Sequence, residues 1–212
     1  MSQCPLFEAL ARYVSGLAAE FNQIPDARKA VLEKLARYIT AKRRTGQPVR
    51  LTVICTHNSR RSHIGQLWAL AAAEWYGIEG VESFSGGTEA TAFHPYAVAA
   101  LQRAGFEAKQ EGEGENPVYV VHYSEEAPAV RAFSKRFDDV ANPASGFAAI
   151  LVCSEADEAC PFVPGAEERI ALPFEDPKHA DGSPEEQQAY DIACRLIARE
   201  FFFVMEQARG GL

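Results

Sequence analysis

The stretch Cys55-Thr56-His57-Asn58-Ser59-Arg60-Arg61-Ser62 is where residue types and spacing point most directly to chemistry. It follows an apolar run, Leu51 to Ile54, and leads into an amphipathic pattern of helical period. At such a strand-to-helix junction the backbone can curl into a half-ring of N–H groups, and the positive end of the helix dipole favours an oxyanion there. The same field favours Cys55 as a thiolate, the form that acts as a nucleophile. Arg61 supplies a planar fork for two oxygens of a tetrahedral anion. Taken alone, Cys-X5-Arg is a loose pattern, and its plain alternative is a buried cysteine beside a surface arginine.

Two further segments carry reactive groups in a consistent order along the chain. Ile150 to Val152 is an apolar strand that ends at Cys153, and Cys160 follows seven residues later. A cysteine at the end of a buried strand commonly acts as a small core hydrophobe. Cys160 is less easily read that way, because Glu155, Asp157 and Glu158 surround it in a polar stretch with no core to fill. The separation is not the short pair spacing of structural zinc, and no His-X3-His partner exists, so no metal is expected. Phe174-Glu175-Asp176-Pro177 follows a third strand-like run, Arg169 to Leu172. Asp176 before a proline either opens a turn or places a carboxylate for proton transfer.

The loop Cys-X5-Arg-Ser with Asn at its fourth position, the later cysteine pair and the Asp-Pro segment together resemble the low-molecular-weight protein tyrosine phosphatase superfamily, which includes the thioredoxin-coupled arsenate reductases. The resemblance spans residue 50 to about residue 207. It implies an α/β fold with a four-stranded parallel sheet flanked by helices. It also implies that Cys55 is the nucleophile, Arg61 the oxyanion clamp and Asp176 the general acid. Thr56, His57, Asn58, Ser59, Arg60, Arg61 and Ser62 would form the substrate-binding loop. Asn58 would hold a left-handed turn, and the Ser62 hydroxyl would donate to the Cys55 sulfur.

Two reactions follow from the resemblance. With a phosphate ester, from phosphotyrosine or a small monoester, Cys55 attacks phosphorus, Asp176 protonates the leaving oxygen, and water cleaves the thiophosphate. With arsenate, Cys153 attacks the Cys55 sulfur and releases arsenite; Cys160 then attacks Cys153 and carries the disulfide outward to a thioredoxin-like reductant. Neither path needs a bound cofactor. A non-catalytic anion or redox sensor is the third reading, against which the retained Asp176 stands. Lys178 and His179 follow Pro177 where aromatic residues would flank a phosphotyrosine, which favours a small anion. The chain also departs from the family: His57 stands where Gly is common, and Arg60 where many members carry a second loop cysteine.

The elements that must position these groups are readable in outline. Residues 6–21 and 26–44 show apolar positions at helical spacing, and Thr45-Gly46-Gln47-Pro48 ends them, so residues 1–48 read as an N-terminal helical hairpin. Its apolar stripes either pack on the sheet or join two copies of the chain as a homodimer. The catalytic domain then runs over 49–212. It contains a strand at 50–54, a helix from about Arg61 to Trp75, a strand at 81–85 and a helix opened near Pro95. Strands at 147–153 and 169–174 and a helix from Pro184 to about Ala208 complete it. Strands alternating with helices predict a parallel sheet with ligands beyond the strands' carboxyl ends, where Cys55, Cys153 and Asp176 all fall. Residues 107–147 interrupt the pattern; Val118–Tyr123 and Val130–Phe137 read as a β-hairpin that either walls the site or caps a sheet edge.

Composition narrows the function classes. The chain has 212 residues, is 47% hydrophobic, carries five cysteines and has a net charge of −8. The odd cysteine count and the absence of a signal-peptide pattern predict reduced thiols in the cytoplasm. No apolar run reaches membrane-spanning length, and the negative charge argues against a nucleic-acid partner.

Overall fold

The computed structural model describes residues 5–159 and 162–211. Its central layer is a four-stranded parallel sheet in the order β2-β1-β6-β7, built from β1 (Val49–Cys55), β2 (Val81–Gly87), β6 (Phe147–Leu151) and β7 (Ala166–Ala171). Six of the seven β1 residues and all five of β6 are buried. That is why both read as unbroken apolar runs: a parallel strand covered on both faces has no polar side to alternate with. Val53 sits between Ser85 of β2 and Ile150 of β6, which fixes the register toward the carboxyl ends of the strands.

Helices α3 (Arg61–Tyr76) and α6 (Glu186–Gly210) pack along each other, and α3 lies against β1 and β2. Helix α4 (Pro95–Ala104) rests on α6. The buried Trp68 of α3 meets Phe106 and Phe202 edge-on, at 4.9 and 6.0 Å between ring centroids. Gly65 permits the close approach of α3 to β1 and α6, because a Cβ there would stand 2.9 Å from Val53 Cγ1 and 3.2 Å from Phe201 Cε2.

The N-terminal region forms α1 (Glu8–Val14), a 3-10 helix (Leu17–Gln23) and α2 (Asp26–Arg44). The expected single helix over 6–21 is broken at Ser15-Gly16, where the Ser15 hydroxyl turns back to the Arg12 carbonyl at 2.8 Å. Leu10, Leu17, Leu32, Leu35 and Ile39 are fully buried in the same core as the sheet. Phe21 packs edge-on against Phe203 of α6, and Arg28 of α2 donates to the buried Glu200 at 2.8 Å. The hairpin's stripes are thus covered within one chain.

The insertion carries the expected hairpin, β4 (Val118–His122) paired antiparallel with β5 (Val130–Ala132). It also holds a strand not foreseen, β3 (Glu107–Glu111), on the other side of β4. Its sequence Glu-Ala-Lys-Gln-Glu hides it, since only Ala108 faces the core and an edge strand tolerates charge elsewhere. The expected second strand over 130–137 stops at Ala132, and residues 134–137 leave the hairpin to run beside the end of β2. Strand β7 begins three residues before the expected 169–174. It ends before Pro173, which has no N–H to add, although the Leu172 and Phe174 amides still bond to the carbonyls of Leu151 and Val152.

Truncating a fully buried leucine removes transfer free energy and leaves a cavity. Leu35→Ala is expected to lower the unfolding free energy by about 2–5 kcal/mol. A urea titration should show one cooperative transition moving as a whole; a separate early transition would mean that the hairpin is not part of the common core.

Candidate active site

Strand β1 delivers Cys55 to the carboxyl edge of the sheet, 4% exposed, and the chain enters α3 at Arg61. Between them the loop carbonyls turn outward and are taken up by neighbouring segments. Cys55 O accepts from Thr88 N at 3.2 Å, Thr56 O from Glu89 N at 2.8 Å and Ser59 O from His94 N at 2.9 Å. The His57 carbonyl accepts from the hydroxyls of Thr91 and Ser134 at 3.1 and 3.0 Å. Among the described residues no acceptor meets the N–H groups of residues 56–60, so these donors are left for an anion in the loop. The close approach of segment 87–89 requires Gly87, where a Cβ would lie 2.2 Å from Glu89 O and 2.7 Å from both Asn58 N and Thr56 O.

Asn58 is the one non-glycine residue at positive φ among the described residues, at +45°. A left-handed residue costs roughly 1–2 kcal/mol, and the buried side chain offsets this with two hydrogen bonds of about 1 kcal/mol each. Lys135 N donates to its Oδ1 at 2.8 Å, which orients the amide, and its Nδ2 donates to Ser62 Oγ at 2.8 Å. Ser62 Oγ lies 3.1 Å from Cys55 Sγ. Because the serine oxygen already accepts from Asn58, its proton is free to point at the sulfur.

Arg61 is buried, and its guanidinium reaches the Asp-Pro segment: Nη1 donates to Phe174 O at 2.8 Å and Nη2 to Asp176 Oδ2 at 2.6 Å. Asp176 also caps a short 3-10 helix (Pro177–Ala180), its Oδ1 accepting from Lys178 N at 3.1 Å. Turn opener and ion-pair partner are therefore the same carboxylate. Cys153 is fully buried directly after β6, its Sγ 3.4 Å from Thr56 Oγ1 and 3.4 Å from Ala156 N. The expected third thiol, Cys160, lies outside the described residues. Ser59 is buried, and the half-exposed His57 lies 3.8 Å from Glu89. Arg60 neither points to solvent nor lines the loop with free charge: its Nε donates to Tyr190 OH at 2.6 Å and its Nη2 to Asp181 Oδ2 at 3.0 Å.

Several residues beside the site escape sequence reasoning because they come from distant chain. Gly87 N donates to Lys135 O and Phe137 N to Gly87 O, both at 2.9 Å, so the segment after the hairpin caps the β2 edge. The same segment grips the outside of the loop through Ser134 and Lys135. Lys135 is 5% exposed, its Nζ 4.6 Å from the Phe133 ring centroid, and burial pushes its ammonium down to about 8. His63 is fully buried behind the loop, stacked on Phe93 at 4.0 Å with Nδ1 3.2 Å from Ser85 Oγ. Burial, reinforced by Lys135, pushes its pKa down to about 3.

Among the described residues no group of three His, Cys, Asp or Glu side chains converges as a metal site, and no helix is long and apolar enough to cross a membrane.

No protein-family profile matches the chain. A solved mutant of YwlE from Bacillus subtilis is similar in fold, with a TM-score of 0.51 at 16% identity over 75% of this chain and 97% of that one. A low-molecular-weight phosphotyrosine phosphatase from Vibrio cholerae gives 0.50 at 11% identity over 74% and 95%. The four-stranded parallel sheet, with a Cys-X5-Arg loop at the end of its first strand, thus has the fold of these low-molecular-weight phosphatase structures. In sequence the chain is similar to proteins named arsenate reductase. One from Bacillus licheniformis is 26% identical over 139 residues, covering 65% of this chain and 80% of the relative. Another, from Bacillus subtilis, is 28% identical over 140 residues with the same two shares.

His63 gives the site a pH signature. Its folded pKa lies below its ordinary value, so its contribution to stability is complete above about pH 6.5 and is lost as pH falls toward 3. Relative to His63→Gln, the wild type is expected to lose about 1 kcal/mol more on going from pH 5.5 to 4.5. Denaturant titrations of both proteins at the two pH values check this, and a stability difference independent of pH would contradict it.

Proposed function

We propose that this protein reduces arsenate to arsenite by a relay of three thiols, Cys55, Cys153 and Cys160. The observation that carries the reading is the position of the second thiol: Cys153, just past the end of the neighbouring strand β6, lies against Thr56, the residue after the proposed nucleophile. The similarity to proteins named arsenate reductase points the same way.

In this reading the loop N–H groups and Arg61 hold the oxyanion while the Cys55 thiolate attacks arsenic, and Asp176 gives its proton to the departing oxygen as water leaves. The Cys153 thiolate then attacks Cys55 Sγ. The S–S bond forms, the electrons of the S–As bond pass to arsenic, and arsenite departs. Cys160 attacks Cys153 Sγ, freeing Cys55 as thiolate and leaving a Cys153–Cys160 disulfide for a thioredoxin-like dithiol in the cytoplasm. Cys153 is fully buried, which supports a relay in which a third thiol, and not Cys153 itself, exchanges with the external reductant.

The second reading, hydrolysis of phosphotyrosine or a small phosphate monoester, is favoured by the Arg61–Asp176 pair, which sets a proton donor beside the anion clamp. Both reactions share the first attack and part only at Cys153.

Arsenate-dependent NADPH oxidation with thioredoxin and thioredoxin reductase, run beside aryl phosphate hydrolysis, separates them. Arsenate turnover is expected in the wild type and should fall at least 100-fold in Cys153→Ser and Cys160→Ser, while hydrolysis survives in both. Hydrolysis lost with Asp176→Asn, and no arsenate turnover in any protein, would establish the phosphatase instead.

A further inference from the structure

Arg60 is the loop residue that the proposed chemistry leaves without a task. Its side chain is 15% exposed and points away from the loop centre into a closed polar ring. Nε donates to Tyr190 OH, Nη2 donates to Asp181 Oδ2, and Tyr190 OH donates to Asp181 Oδ1 at 2.9 Å. Tyr190 is fully buried and stacks on His94 with 5.7 Å between centroids, so α6 and the start of α4 hold the ring from behind. Burial opposes the Arg60 charge, yet the Tyr190 hydrogen bond and the Asp176 and Asp181 carboxylates more than offset it.

The placement of Asp181 gives this ring its meaning. Asp176 opens the 3-10 helix Pro177–Ala180 and Asp181 directly follows it. Two consecutive arginines of the Cys55 loop therefore fasten the two ends of one segment, Arg61 at Phe174 and Asp176, Arg60 at Asp181. The fastenings differ in permanence. An oxyanion that takes the Arg61 fork must displace Asp176, and must do so for that carboxylate to be free to move a proton. At that moment Arg61 no longer holds the segment down, whereas the Arg60 ring contains no group that the anion needs.

We infer that Arg60, Asp181 and Tyr190 form a positioning clamp that keeps the Asp176 segment seated on the Cys55 loop while Arg61 exchanges Asp176 for the bound oxyanion. Arg60 is then a positioning residue and not an anion ligand. The inference rests on the roles proposed above for Arg61 and Asp176. Its energetic logic is that displacing a reacting group by about 1 Å costs on the order of 100-fold in rate.

Two readouts on the full chain test it, one of them independent of activity. Hydrogen exchange at the amides of Lys178, His179, Asp181 and Ser183, all hydrogen-bonded in the closed segment, is followed with and without saturating orthophosphate. In Arg60→Met these amides are expected to exchange about tenfold faster than in the wild type, and faster again with phosphate bound. Hydrolysis of phenyl phosphate, whose leaving group needs a proton, should lose roughly 10- to 100-fold in kcat with KM within about twofold. 4-Nitrophenyl phosphate, whose leaving group needs little help, should lose much less. Arg60→Lys, which keeps a charge beside Asp181, should recover part of the loss, and Tyr190→Phe gives a milder variant if Arg60→Met folds poorly.

Unchanged exchange in this segment overturns the clamp, as does a raised KM with kcat intact, which would make Arg60 an anion ligand. If Asp176→Asn fails to distinguish the two leaving groups, the proton-donor role of Asp176 is what fails, and the exchange result still decides the clamp. A loss equal for both leaving groups in Arg60→Met, with Asp176→Asn still distinguishing them, breaks the link between clamp and proton donation.

Discussion

Asn58 has to stay in a left-handed turn inside a buried loop, and most of the site is arranged around that strain. The turn directs the loop carbonyls outward and leaves successive N–H groups together, where they can meet an anion. The Asn58 side chain secures the turn by bonding at both ends of its amide, to Lys135 N and Ser62 Oγ. The second bond then directs the serine proton toward the Cys55 sulfur. One amide thus ties the backbone turn to the hydroxyl beside Cys55, and its own orientation depends on a residue 77 positions later.

That dependence explains the insertion. Residues 134–137 occupy the position beside β2 where a sheet edge would otherwise be open, and they bring Ser134 and Lys135 against the outer face of the loop. Gly86 and Gly87 make this approach possible, since a Cβ on Gly86 would stand 2.4 Å from the Phe137 Cα. Capping the edge and supporting the site are one contact. The N-terminal hairpin reaches the site in a similar way from the opposite side: the Arg28 guanidinium lies over the Phe174 ring at 4.7 Å, and Phe174 gives its carbonyl to Arg61.

The electrostatics of the site are those of alternating partners. Arg60 and Arg61 face Asp181 and Asp176, so the positive field at the loop comes from backbone donors and the helix terminus more than from unpaired guanidinium groups. Among the described residues no carboxylate comes within ion-pair distance of Lys135, and burial deprives its charge of solvent screening. A polar wall of this kind can stabilise a developing oxyanion without reorganising as charge moves.

The order of elements, the apolar strands β1 and β6, the helix that opens at Arg61 and the positions of Cys55, Cys153 and Asp176 on one rim were legible in the chain, because local periodicity and strand-to-helix junctions are encoded by neighbours in sequence. Strand β3 and the break at Gly16 were not: an edge strand with one buried residue has no alternating signal, and a helix carrying the right apolar spacing can still be bent by the surface it packs on. The partners of Arg60, the support of Asn58 by Lys135 and the burial of His63 belong wholly to the tertiary structure. These contacts join residues 22 to 130 positions apart, so no local pattern carries them. By itself the sequence determined which reactive residue types the chain carries and that Cys55, Cys153 and Asp176 emerge on one edge of the sheet. Only the folded chain decided which of them are paired, buried or held in place, since hydrogen-bond direction and desolvation depend on neighbours that the backbone brings together from far away.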